Sequence, residues 1–159
     1  ISYASDNPSK KHSENLYFRS LLLKTLINDF KNPNISFDQD LSSPWAITSI
    51  IKCKKKYNLT DIDFVIGSDL LEEIIDWKNI EELFSLANLL IIPRSDYPIE
   101  ETNLKFIKEL NGKFRISLFK IPKISSSIIR ESVNSSGLPE CLIPIIKKNN
   151  LYSWLNEIK

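Results

Sequence analysis

Short apolar segments alternate with longer stretches of helical periodicity along this 159-residue chain, and that alternation leaves few architectures open. Residues 1–4 look like the second half of a buried strand. Helical spacing runs over residues 13–30, where Phe18, Leu22, Leu26 and Phe30 recur every four positions and Leu23 and Ile27 widen the stripe. Residues 35–37 read as a short strand. A second helix is expected over 45–57, entered through Ser43-Pro44, because proline is tolerated in a first turn. Asp63–Gly67 is a short apolar strand closed by glycine, and residues 89–93 and 114–119 are further strands. Helices are expected over 69–75, 80–85, 126–133, 138–147 and 151–158. Strands separated by helices of this length dictate an α/β, Rossmann-like domain: a mainly parallel sheet, helices on both faces and a helical C-terminus. In such sheets ligands bind beyond the carboxyl ends of the strands.

Composition narrows the function classes. Hydrophobic residues make up 42% and charged residues 26%, which sets disorder aside. With 21 basic against 20 acidic residues the formal charge is +1, so neither nucleic acid nor a membrane surface is an expected partner. No apolar run approaches the ~20 residues that a membrane span needs. Cys53 and Cys141 stand far apart, so reduced thiols in the cytoplasm are expected rather than a disulfide or zinc framework. The lack of methionine and the start in mid-strand lead us to expect that an N-terminal piece is missing from the single domain of residues 1–159.

Four segments carry chemistry. Ile124-Ser125-Ser126-Ser127-Ile128-Ile129-Arg130 follows a strand end and opens a helix. Hydroxyls and free amides at a helix start, with Arg130 three and four residues on, converge as a polyphosphate requires. An ordinary serine-capped helix with a surface arginine has the same pattern. In Phe64-Val65-Ile66-Gly67-Ser68-Asp69, Gly67 allows a ligand close to the backbone. Asp69 there can accept from ribose hydroxyls or simply complement a helix dipole. Asn7, Lys10, Lys11 and His12, the only histidine, follow the first strand. Trp77, in Asp76-Trp77-Lys78, is either core packing or an aromatic platform. Lys52, Lys54, Lys55 and Lys56 are expected to be solvated cations at a helix C-terminus.

In this order the segments resemble the bacterial nicotinate mononucleotide adenylyltransferase family. Residues 124–130 are similar to its I-S-S-T-x-I-R signature, with Ser127 at the Thr position, and Gly67-Ser68-Asp69 to its G-x-D element. Trp77 falls at the family's tryptophan, Arg94-Ser95-Asp96-Tyr97-Pro98 is similar to R-x-G-Y-P, and residues 145–152 resemble its terminal helix ending in N-L-Y. The resemblance implies transfer of the adenylyl group of ATP, with Mg²⁺, to nicotinate mononucleotide, giving deamido-NAD and pyrophosphate. It implies that Gly67, Asp69, Ser125, Ser126, Ser127 and Arg130 bind ATP. Asn7, Trp45, Trp77 and Arg94 would bind the pyridine mononucleotide, and Lys10, His12 and Arg130 would act at the reacting phosphates.

The chain departs from the family at three places. No H-x-G-H motif occurs in these 159 residues, so this piece alone is expected to be inactive. Pro44-Trp45-Ala46 replaces S-Y-T, which leaves nicotinate against nicotinamide mononucleotide open, and Ser95-Asp96 replaces P-G. A nucleotidyltransferase with another acceptor and a non-catalytic nucleotide-binding homologue remain as alternatives. Oligomeric state, a homo-oligomer included, is left open.

Overall fold

The computed structural model describes residues 1–8, 11–119 and 138–152. The helix expected over 126–133 and most of the one expected over 151–158 lie outside the described residues. Described elements run α1 (Leu16–Phe30), α2 (Ala46–Tyr57), β1 (Asp63–Gly67), α3 (Ile80–Leu86), β2 (Asn88–Ile92), α4 (Glu101–Glu109), β3 (Phe114–Ile116) and α5 (Ile143–Lys148). They divide between two compact units, one of Ile1–Pro44 with Ile124–Lys159 and one of Trp45–Lys123. Among the described residues no helix is long and apolar enough to cross a membrane.

In the first unit α1 starts three residues later than its periodicity implies, because Asn15 caps it by accepting the Phe18 N–H at 3.1 Å. The stripe buries Leu22 against Leu142, Ile146 and Leu151, with Phe18 and Leu26 alongside, whereas Phe30 at the helix end stays exposed. The two strands expected here shrink to one parallel bridge, Ser2 with Phe37. Past it the chain turns into a 3-10 helix, Gln39–Leu41. The Gln39 carboxamide accepts the Ala4 N–H at 3.1 Å and donates to the Ala4 carbonyl at 2.8 Å. The helix expected over 138–147 is a 3-10 turn, Glu140–Leu142, followed by α5, in which Pro144 occupies the first turn. A proline lacks an N–H and belongs there. Leu151 and Tyr152 are not helical; the Tyr152 N–H instead donates to Glu14 Oε1 at 3.0 Å.

The second unit carries the sheet. Its strands run β1-β2-β3, all parallel, with Ile66 opposite Ile91 and Ile91 opposite Ile116. The mainly parallel α/β expectation therefore holds. Leu71, Ile74, Leu83, Leu89, Ile91 and Ile107 form a core at 1% exposure or less.

Four local readings change. Trp45 is the N-cap of α2, so Pro44 precedes the helix. The helix expected over 69–75 is two 3-10 turns, Ser68–Leu70 and Ile74–Asp76. Leu71, Ile74 and Trp77 recur every three residues, which suits a three-residue turn as well as it suits an α-helix. β3 stops at Ile116 because Ser117 Oγ accepts the Phe119 N–H at 3.1 Å, a local bond that competes with the ladder. Lys54 is not a solvated cation: its ammonium donates to the carbonyls of Thr60 at 2.8 Å and Leu86 at 3.1 Å.

Candidate functional site

The carboxyl ends of β1 and β2 are built by four side chains close in space. β1 ends at Gly67, opposite Ile92 of β2. Ser68 follows, buried, and its hydroxyl donates to the Tyr97 carbonyl at 2.7 Å while accepting the Arg94 N–H at 2.9 Å. That hydroxyl ties the end of β1 to the segment after β2. One residue on, Asp69 Oδ2 pairs with Arg94 Nη1 at 2.7 Å, both side chains largely shielded. Such a charge-assisted bond is short and directional. The Arg94 guanidinium also lies 5.8 Å from the centre of the Tyr97 ring.

Asp69 Oδ1 is buried and has no hydrogen-bond partner among the described residues. It rests over Gly67, where a β-carbon would overlap it and come within 3.2 Å of Arg94 Cδ. A side chain at this position would therefore displace the Asp69 carboxylate from where it rests. A buried carboxylate oxygen without a donor is costly, and it is a ready acceptor for a hydroxyl brought by a bound molecule.

The two tryptophans belong to the same unit. Trp77 ends the 3-10 turn Ile74–Asp76 and is half-buried, edge-on to Phe64 with ring centres 6.2 Å apart. Trp45 is exposed, and Lys78 Nζ lies 5.1 Å from its ring centre. Lys78 directly follows Trp77 in the chain.

In the first unit Arg19 organises the segment after the opening residues. Its guanidinium donates to the Ser5 carbonyl at 2.7 Å and the Glu14 carbonyl at 3.1 Å, and pairs with Asp6. Asn7 is half-buried and His12 exposed. Lys10, Ser125, Ser126, Ser127 and Arg130 lie outside the described residues. The structure therefore brings together Gly67, Asp69 and Arg94, which the sequence reading had divided between two ligands. Ser68, Lys78 and Arg19 were missed. Ser68 and Lys78 sat inside named motifs, but nothing in a single sequence tells a stapling hydroxyl or a ring-facing ammonium from a solvated one.

A hollow of about 310 Å³ lies at the opposite, amino ends of the strands, bordered by Asp61, Asp63, Asn88 and Arg115. Four of its polar residues are paired, Arg115 with Asp63 and Asn88 with Asp61. Among the described residues no group of three or more His, Cys, Asp or Glu is placed to hold a metal ion.

The cytidylyltransferase-like family model matches residues 3–132. A probable nicotinate-nucleotide adenylyltransferase of Borrelia hermsii is 31% identical over 157 residues, covering 91% of this chain and 77% of that protein. The chain belongs to the nicotinate mononucleotide adenylyltransferase family, within the cytidylyltransferase-like group. A second member, a probable nicotinate-nucleotide adenylyltransferase of Synechocystis sp., is 28% identical over 94% of this chain and 82% of its own length. Among solved structures, Plasmodium falciparum nicotinic acid mononucleotide adenylyltransferase complexed with NaAD superposes with a TM-score of 0.62. It shares 21% identity, over 91% of this chain and 78% of that one. At that identity the match bears on the fold, which is the nucleotidyltransferase fold of the family.

Proposed function

We infer that this protein transfers the adenylyl group of ATP to nicotinate mononucleotide, giving deamido-NAD and pyrophosphate, a step of NAD biosynthesis. The observation that carries the reading is the buried, unpartnered Asp69 Oδ1 at the carboxyl end of a parallel strand, in a chain of this family. A ribose hydroxyl is the donor that such an oxygen lacks.

In the reaction a phosphate oxygen of the mononucleotide attacks the α-phosphorus of ATP, and pyrophosphate leaves on the opposite side. The protein's task is to orient two nucleotides and to stabilise charge. We assign Asp69, over Gly67, to the adenosine half of ATP. Ser125, Ser126, Ser127 and Arg130 are assigned to its phosphates, Asn7 to the pyridine mononucleotide, and Lys10, His12 and Arg130 to the reacting groups, all on the family resemblance. Trp77, held by its T-shaped contact with Phe64, and the exposed Trp45, with Lys78 Nζ 5.1 Å from its ring centre, are the aromatic rings available. These are our platform for the pyridine. Mg²⁺ enters only as the companion of the ATP phosphates; no residue of the chain is assigned to it and no step is routed through it. We place the reaction in the cytoplasm, a compartment in keeping with two free cysteines.

The test is an adenylyl-transfer assay on the full-length protein with ATP, Mg²⁺ and either nicotinate or nicotinamide mononucleotide, following pyrophosphate. Release with nicotinate mononucleotide is expected. Release with the amide alone moves the protein to another step, and release with neither overturns the reading.

A further inference from the structure

We propose that Arg94 is a positioning residue for the nucleoside half of ATP, acting through Asp69, and that Ser68 sets the position of Arg94. The proposal rests on the reading of Asp69 as the adenosine acceptor.

A carboxylate has two oxygens and little preference between them when it is free to rotate. Here Arg94 Nη1 takes Oδ2 at 2.7 Å, which turns the other oxygen, Oδ1, over Gly67 and leaves it buried without a donor. Rotation of the carboxyl would break that ion pair. Arg94 is in turn fixed at its backbone, since its N–H donates to Ser68 Oγ at 2.9 Å and its carbonyl accepts the Tyr97 N–H at 3.1 Å. Ser68 Oγ closes the ring by donating to the Tyr97 carbonyl at 2.7 Å. Asp69 is therefore aimed by a circuit of four residues, two of them at the end of β1 and two after β2.

The circuit also bears on what Arg94 does not do. Its charge is balanced by Asp69 at contact distance, and its guanidinium carbon lies 5.8 Å from the centre of the Tyr97 ring. A guanidinium so committed is a poor clamp for the phosphate or carboxylate of the pyridine mononucleotide, the role that the family resemblance implies for it.

The experiment measures binding of ATP and of nicotinate mononucleotide separately, by calorimetry on the full-length protein, for Arg94→Met, Asp69→Asn, the double variant and Ser68→Ala. Arg94→Met and Asp69→Asn should each weaken ATP about tenfold, the loss of one hydrogen bond to a charged group. Nicotinate mononucleotide should change less than about twofold, and the double variant should be no worse for ATP than either single one. Ser68→Ala should follow in the same direction by about threefold, the smaller share of a neutral hydrogen bond. A selective loss of the mononucleotide in Arg94→Met, or additive losses of ATP, would overturn the proposal. Where circular dichroism shows Arg94→Met unfolded, Arg94→Lys decides, because it keeps the charge and loses the fork geometry. An intermediate loss of ATP supports positioning, and none overturns it. Adenylyl transfer by the wild type is read in parallel. Its absence with this binding pattern intact removes the proposed reaction and leaves the positioning role standing.

Discussion

In the second compact unit three parallel strands and their helices close over six aliphatic side chains that water does not reach, and the backbone groups of β2 are shared with strands on either side. In the first, four buried aliphatic residues gather around α1 and α5 among the described residues, and side chains hold the backbone: Gln39 at Ala4, Arg19 at Ser5, with an ion pair to Asp6, and Glu14 at Tyr152. Among the described residues the second unit has the larger apolar core, and the first adds to a smaller one several polar side chains that reach backbone. An apolar hold tolerates polar edits and fails when volume is lost; a polar one does the reverse.

Truncation should show the largest difference. Leu89→Ala, at 0% exposure, should cost about 3 kcal/mol in chemical denaturation of the full-length protein. Leu22→Ala in the smaller core, at 8% exposure, should cost clearly less; equal losses would erase the contrast. Gln39→Glu comes next, at about 2 kcal/mol near neutral pH, because a carboxylate can accept from the Ala4 N–H but has nothing to give the Ala4 carbonyl. The sign is checkable. Facing a carbonyl, the new carboxyl is protonated more easily when folded, so the loss should shrink as pH falls into the carboxylate range, and a loss independent of pH would refute the account. Asn15→Ala, which removes the cap of α1, should cost about 1 kcal/mol.

The smallest effect concerns Cys141. Burial, then the neighbouring Asp29, pushes its thiol up from the ordinary value. A raised thiol favours the protonated folded form. Its contribution is therefore complete below the unfolded thiol's range and fades only as alkaline pH passes through the folded one. Alkylation of Cys141 at about pH 8 should accordingly be slower than that of a small free thiol. Equal rates would show the side chain to be as open as solvent.

The same contrast explains what could be read from the sequence. β1 is legible residue for residue, and β2 within one position, because each is a short apolar run, bounded in β1 by Asp63 and Gly67. Pro93 falls just outside β2 for want of an N–H to join the ladder. α4 was not anticipated at all. Glu100 gives it no side-chain cap, and Ile107 is its one buried residue, so neither a start signal nor a wide stripe marks it. In the first unit strands were expected where one bridge stands, because Ala4 and Ser5 are met by Gln39 and Arg19, distant from them in sequence and unmarked by any local pattern. At the candidate site the motifs named Gly67, Asp69 and Arg94 but not their mutual contact. An ion pair 25 residues apart in sequence leaves no periodicity behind.

The Gln39 carboxamide has a wider consequence. Ser2 pairs with the chain at Phe37, and two residues further along, where the next rung would be, Ala4 meets a side chain instead of a peptide. An amide is the one side-chain group with a peptide's own donor and acceptor at a peptide's spacing. It lets the main chain leave for the 3-10 helix while the rung stays filled. With both backbone groups of Ala4 taken, a single glutamine sets the length of this pairing and leaves no open rung at its end.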